Sequence, residues 1–100
     1  MLIEKKNYEK SDVITLKLTS GEEVLAKFLE ERSDAYVVSK PMVLLTTATG
    51  IGMMPIPLSA SKADQVVVNK NAVSIHCKSE KDIADQYLEK TTGLKIAKSF

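Results

Sequence analysis

The stretch from Val13 to Leu45 constrains this chain's fold more than any other. It reads Val-Ile-Thr-Leu-Lys-Leu-Thr-Ser-Gly-Glu-Glu-Val-Leu-Ala-Lys-Phe, then a charged break, then Asp-Ala-Tyr-Val-Val-Ser-Lys-Pro-Met-Val-Leu-Leu. Ile14, Leu16 and Leu18 alternate with Thr15 and Lys17. Val24, Ala26 and Phe28 alternate with Glu23, Leu25 and Lys27. A period of two turns one apolar face of each strand inward and leaves the other wetter. Ser20-Gly21 punctuates the first gap, with Gly supplying a backbone angle that other residues avoid. Glu31-Arg32-Ser33-Asp34 fills the second gap at hairpin length. The pattern predicts a three-stranded meander over Asp12–Thr19, Glu22–Glu30 and Ala35–Thr47. Lys40-Pro41 interrupts the third strand, and a proline cannot donate to a ladder, so a bulge or sharp bend is expected there. A small β-barrel turns its corners with such bends.

Beyond Thr49-Gly50, Ile51–Leu58 reads as a fourth strand that becomes irregular near Pro55. Pro55 and Pro57 are two apart, so both remove donors from the same strand edge. Ser59–Asp64 reads as a loop. Gln65–Cys77 holds two apolar runs, Val66-Val67-Val68 and Ala72-Val73-Ser74-Ile75. Asn69-Lys70-Asn71 splits them as a turn, a bulge or the tip between two strand segments. Ser79 followed by Asp82 is a variant of the capping box. Ile83, Ala84, Tyr87 and Leu88 then recur at helical spacing, and Gly93 sits where a helix ends, so a helix is expected over Glu80–Thr92. Leu94, Ile96 and Phe100 are left to fold back onto the barrel or to touch a neighbour. Met1–Lys10 reads as a polar leader, with Tyr8 able to pack back. The expected organisation is this leader, a β-domain over 11–78, and a C-terminal helix and tail over 79–100.

One hundred residues make one domain with one modest core. Fourteen basic against thirteen acidic residues leave no strongly basic face in the net charge, although a local patch could exist. Cys77 is the sole cysteine, which rules out an internal disulfide and fits a reducing cytoplasm. The charged start lacks the apolar run of a signal peptide, and no stretch approaches the ~20 apolar residues of a membrane helix. His76 and Cys77 are strand neighbours facing opposite sides, a poor nucleophile–base pair and at most one metal ligand per face. Gly50-Ile51-Gly52 lacks the third glycine and the following helix of a phosphate loop. No enzyme, metal, cofactor or small-molecule substrate is expected.

The spacing Gly21-x-x-Val24-x-Ala26-x-Phe28 resembles the first motif of the Sm-like superfamily, Gly-x-x-Val-x-Gly-x-Leu. Ala26 stands for the second Gly and Phe28 for Leu. Asp34-Ala35-Tyr36 resembles the Asp-x-Tyr that follows it, and Val66 to Ile75 resembles the second motif. Tyr36-Val37-Val38-Ser39-Lys40-Pro41-Met42 and the segment Asp85 to Leu94 are similar to the small Sm-like proteins of tailed marine phages. The resemblance spans about Val13 to Cys77 and implies a mainly β fold: a strongly bent five-stranded Sm-like (SH3-type) barrel, here with a C-terminal α-helix. It further implies a homo-oligomeric ring of roughly five to eight copies, found in the host cytoplasm if phage-encoded, that binds RNA weakly or selectively as a post-transcriptional regulator.

The same alignment exposes departures. Val38 takes the position of the family's RNA-binding Asn, and Asn69-Lys70 takes that of its Arg-Gly pair. Val cannot hydrogen-bond a base edge, and Lys meets phosphate only as a point charge. Two functional readings therefore stand. In one, Tyr36, Lys40, Asn69, Lys70 and Asn71 gather around a ring's pore and bind RNA by stacking and charge. In the other, the ring persists as an assembly module without the RNA pocket. A monomeric SH3-like adaptor that docks a peptide is a third. Met53, Met54, Val66, Val67, Val68 and Ile75 are the candidate subunit interface, because exposed strand edges invite a neighbour. The helix stripe is expected on the barrel or on a neighbouring subunit.

Overall fold

The computed structural model describes residues 7–60 and 63–92, and the expected contributions of Gly93, Leu94, Ile96 and Phe100 lie outside them. The described chain forms β1 (Val13–Leu18), β2 (Glu23–Glu31), β3 (Ala35–Thr47), β4 (Gly50–Pro55), β5 (Val66–Asn69), β6 (Val73–Lys78) and α1 (Lys81–Thr92). The six strands build one antiparallel sheet in the order β4-β3-β2-β1-β6, and β5 pairs with the first half of β3. Five strands were expected. The sixth arises because a 3-10 turn over Lys70–Ala72 breaks the Val66-to-Cys77 region into two short strands. No ladder joins β6 to β4 or β5 among the described residues, so the sheet does not close.

The turn between β1 and β2 depends on Gly21, whose φ of +112° lies in the left-handed region. The Gly21 N–H donates to the Leu18 carbonyl, and the Leu18 N–H donates to the Glu22 carbonyl. The expected bend in β3 is present. Leu25 pairs with Met42 and Lys27 with Ser39, so Lys40 and Pro41 together oppose only Ala26. Lys40 takes a φ of +49° to make the bulge. Before the bulge β3 pairs with β5, and after it with β4.

The sheet has a core on each face. Inside the curl, Ile14, Leu16, Val24, Ala26, Phe28, Tyr36 and Val38 pack together, joined by Tyr8 from the N-terminal segment. Outside, Val13, Leu25 and Met42 receive α1 through Tyr87, Ile83, Ala84 and Leu88. The helix stripe thus packs on its own sheet. Its start differs from the expected capping box. The Ser79 N–H continues a ladder to the Val13 carbonyl, and its hydroxyl pairs with that of Thr15 at 2.8 Å. With Ser79 held by β1, the helix begins two residues later, and Lys81 bridges to Asp85 at 2.9 Å.

Tyr87 fixes the helix to the bulge. It is fully buried, and its hydroxyl donates to the carbonyls of Ser39 at 3.0 Å and Lys40 at 2.8 Å. A bulge takes backbone groups out of the ladder, and these carbonyls find a side-chain donor instead.

Candidate functional site

Four of the five residues expected to gather for RNA lie where β2 ends and β3 begins. Tyr36 of β3 stands opposite Glu31 of β2 on one side and Val68 of β5 on the other. The 3-10 turn carries Asn69, Lys70 and Asn71 to the same place, because the Lys70 N–H donates to the Asp34 carbonyl at 2.9 Å. The fifth, Lys40, is elsewhere. It sits at the bulge and donates to the Thr91 carbonyl at the end of α1.

Tyr36 is only 3% exposed and belongs to the inner core. Its ring lies 5.4 Å from that of His76, which meets Tyr8 edge-on at 5.8 Å, and Tyr8 meets Phe28 at 5.4 Å. The Tyr8 hydroxyl and His76 Nδ1 are 2.6 Å apart. Lys70 places its amine 5.2 Å over the Tyr36 ring, a cation–π distance, and 2.6 Å from the Glu31 carboxylate. The cation is therefore already matched by an anion.

The electrostatics follow from burial. Desolvation, then the nearby Tyr36, Cys77 and Glu31, push the Tyr8 phenol up to about 12. Tyr36 is likewise raised, first by desolvation and then by Glu31, with Lys70 acting in the opposite direction. Both phenols stay protonated at physiological pH. A groove beside the cluster is lined by Tyr8, Lys10, Phe28, Glu30, Glu31 and Arg32, a mixture of signs with no cationic excess for phosphate. Sequence reasoning missed Tyr8, Glu31 and His76 as members of this cluster. Alternation through β6 groups His76 with Ser74 and Lys78 on the polar side, and the register shift beside Val73 that sets His76 opposite Leu16 had no local signal; nor had the Glu31–Lys70 pair, which joins residues 39 apart.

Cys77 is exposed on the opposite side of β6 from His76. Among the described residues no group of three His, Cys, Asp or Glu side chains could hold a metal ion. No described helix is long and apolar enough to cross a membrane.

The candidate interface residues divide into two sets. Met53 packs against the helix cluster, and Val66 and Val68 pack against the inner core. Met54 is 40% exposed, Val67 53% and Ile75 60%. The exposed set shares the surface with Ile51, at 56%, and Leu45, at 40%. Among the described residues β4 and β6 are the two ends of the strand path, each paired on one side only and each six residues long, and β5 likewise pairs only with β3. β4 ends at Pro55 and Pro57 lies beyond it, so within the strand a single residue lacks a donor.

Compared with known proteins, the chain matches no family model and no curated protein.

Proposed function

We propose that this protein is an Sm-like homo-oligomeric ring subunit that works as an assembly module. The observation that carries the reading is the pair of free edges, β4 and β6, at opposite ends of one sheet and of equal length. Each bears a large exposed apolar side chain, Met54 on one and Ile75 on the other. Two different edges that complete each other make a head-to-tail contact, and head-to-tail contacts propagate into rings when the rotation closes. Backbone ladders with apolar side chains between them are a general means of strand addition.

RNA binding is the second reading, favoured by Lys70 over Tyr36 and by the exposed Asn69 and Asn71 beside them. Against it stand the buried Tyr36 face and the Glu31 carboxylate on Lys70. Light scattering tests the ring. The expected particle holds roughly five to eight copies, and Ile75→Asp with Met54→Asp reduces it to one while the circular dichroism of the fold persists. A wild-type particle of 11.0 kDa refutes assembly. Titration with labelled oligo-U and oligo-A tests the second reading. No saturable binding is expected up to on the order of tens of micromolar, whereas salt-sensitive binding lost in Lys70→Ala establishes RNA binding instead.

A further inference from the structure

From Pro41 to Ser61 no residue carries a charge, in a chain where 27% of residues do. The structure gives this stretch a shape. β2 stops pairing with β3 at Val24 and Val43, so from Leu44 onward β3 has only β4 beside it. Residues 44–53 therefore project as a two-stranded arm. Two-stranded ribbons are marginally stable alone in water and depend on packing of a face.

The outer face of the arm is only half covered. Leu44 and Met53 are directly paired, and both pack against the α1 cluster. Two residues further out on the same face, Thr46 pairs with Ile51. Here the helix cover has ended and Ile51 is 56% exposed. The apolar strip continues past the helix that covers its root.

The segment after the helix can supply the missing cover. α1 ends at Thr92, with the Lys40 amine on the Thr91 carbonyl, so the chain leaves the helix beside the root of the arm. Residues 93–100 lie outside the described part. They include Leu94, Ile96 and Phe100 at even positions, which share one side of an extended chain. Their reach is about 26 Å at ~3.3 Å per residue, against about 17 Å from Met42 to the arm's tip. We propose that residues 94–100 dock in the same molecule along the outer face of the β3–β4 arm, placing apolar side chains over the strip that runs from Met53 to Ile51. This concerns the arm's face and not the free strand edges, so it stands apart from the ring.

Two measurements on the full chain test it. Hydrogen exchange of the amides over residues 44–53 is compared between wild type and the triple variant L94D/I96D/F100D, with light scattering run on both. Exchange of the arm is expected to accelerate at least about tenfold in the variant while the particle mass stays that of wild type. Nuclear Overhauser contacts are expected in wild type between the Ile51 methyls and the side chains of Leu94, Ile96 or Phe100. Unchanged exchange, or absence of all three contacts, overturns the proposal. Protection that falls on dilution and ignores the triple variant also overturns it, because a second copy is then the cover.

Discussion

Replacing Tyr87 by Phe removes one oxygen from the interior and leaves the ring in place. The consequence depends on how the bulge in β3 keeps its carbonyls satisfied. The Tyr87 hydroxyl donates to Ser39 and Lys40, at 3.0 and 2.8 Å. Ser39 keeps Lys27 as its ladder partner, whereas Lys40 and Pro41 together face only Ala26, so the Lys40 carbonyl lies outside the β2 ladder. A net hydrogen bond is worth about 0.5–1.5 kcal/mol, and a buried acceptor left unpaired costs about 1–3 kcal/mol. Ser39 is half-buried and Lys40 exposed, which lets water recover part of that loss. The expected cost is about 1–2 kcal/mol, or a fall in Tm of roughly 5–15 °C for a domain of this size. Urea unfolding at fixed protein concentration is the assay, with the slope m expected to stay constant while the midpoint moves. Tyr87→Ala sets the scale at about 3–5 kcal/mol, because it adds a cavity under the helix. A Tyr87→Phe protein within ~0.3 kcal/mol of wild type would refute the reasoning, since measured additivity errors are of that size.

Two further substitutions probe the same architecture. Lys40→Gly should stabilise the fold by about 0.5–1 kcal/mol, read as a raised midpoint, because the left-handed cost of a side chain at φ +49° exceeds the entropy Gly adds to the unfolded chain; an unchanged or lowered midpoint contradicts a strained bulge. Tyr8 has a folded pKa of about 12 against an ordinary value of 10.0, so the folded state holds its proton more tightly. Its stabilising contribution is complete below pH 10 and disappears as pH rises toward 12. Stability measured across that window should decline in wild type and decline less in Tyr8→Phe, and equal slopes would remove Tyr8 from the account.

Much of the fold was legible because the decisive signals are local. Alternation through β1 and β2 set which side chains face the inner core, and Pro41 announced the bulge in β3. The bounds of β3 agree with the expected Ala35–Thr47 because Asp34 and Gly50 punctuate both ends. The helix expected over Glu80–Thr92 forms over Lys81–Thr92, and what differs is the role of Ser79, which has two possible partners. Its own helix offered one cap bond, while β1 offered a ladder bond and a hydroxyl, and the long-range pair prevailed. The candidate site was only half legible for the same reason. Chain order brought Asn69, Lys70 and Asn71 together, but the carboxylate that occupies Lys70 and the histidine that closes over Tyr36 come from β2 and β6.

The distribution of charge distinguishes the covered centre of this sheet from its margins. At the centre, β1 and β2 are buried on both faces, with Leu16 and Leu25 both fully covered. Two-sided burial fixes register, because a slip of one residue exchanges the two cores. At the margins the usual protections are sparse, limited to Pro55 at the end of β4 and to Lys78 and one irregular pairing beside Val73 in β6. Strand edges that remain solitary in solution carry charges, prolines or bulges that discourage pairing. β4 carries no charge from Gly50 to Pro55 and only its last residue lacks a donor, while β6 reaches Lys78 before its first permanent charge. The chain does spend charge freely elsewhere, on Glu22, Glu23, Glu30, Glu31 and Arg32 at the ends of β2. Solubility alone would distribute such residues to the edges, where exposed apolar groups most need them. Their scarcity on both edges, together with the matched strand lengths, is the physical argument behind the proposed neighbour on each side.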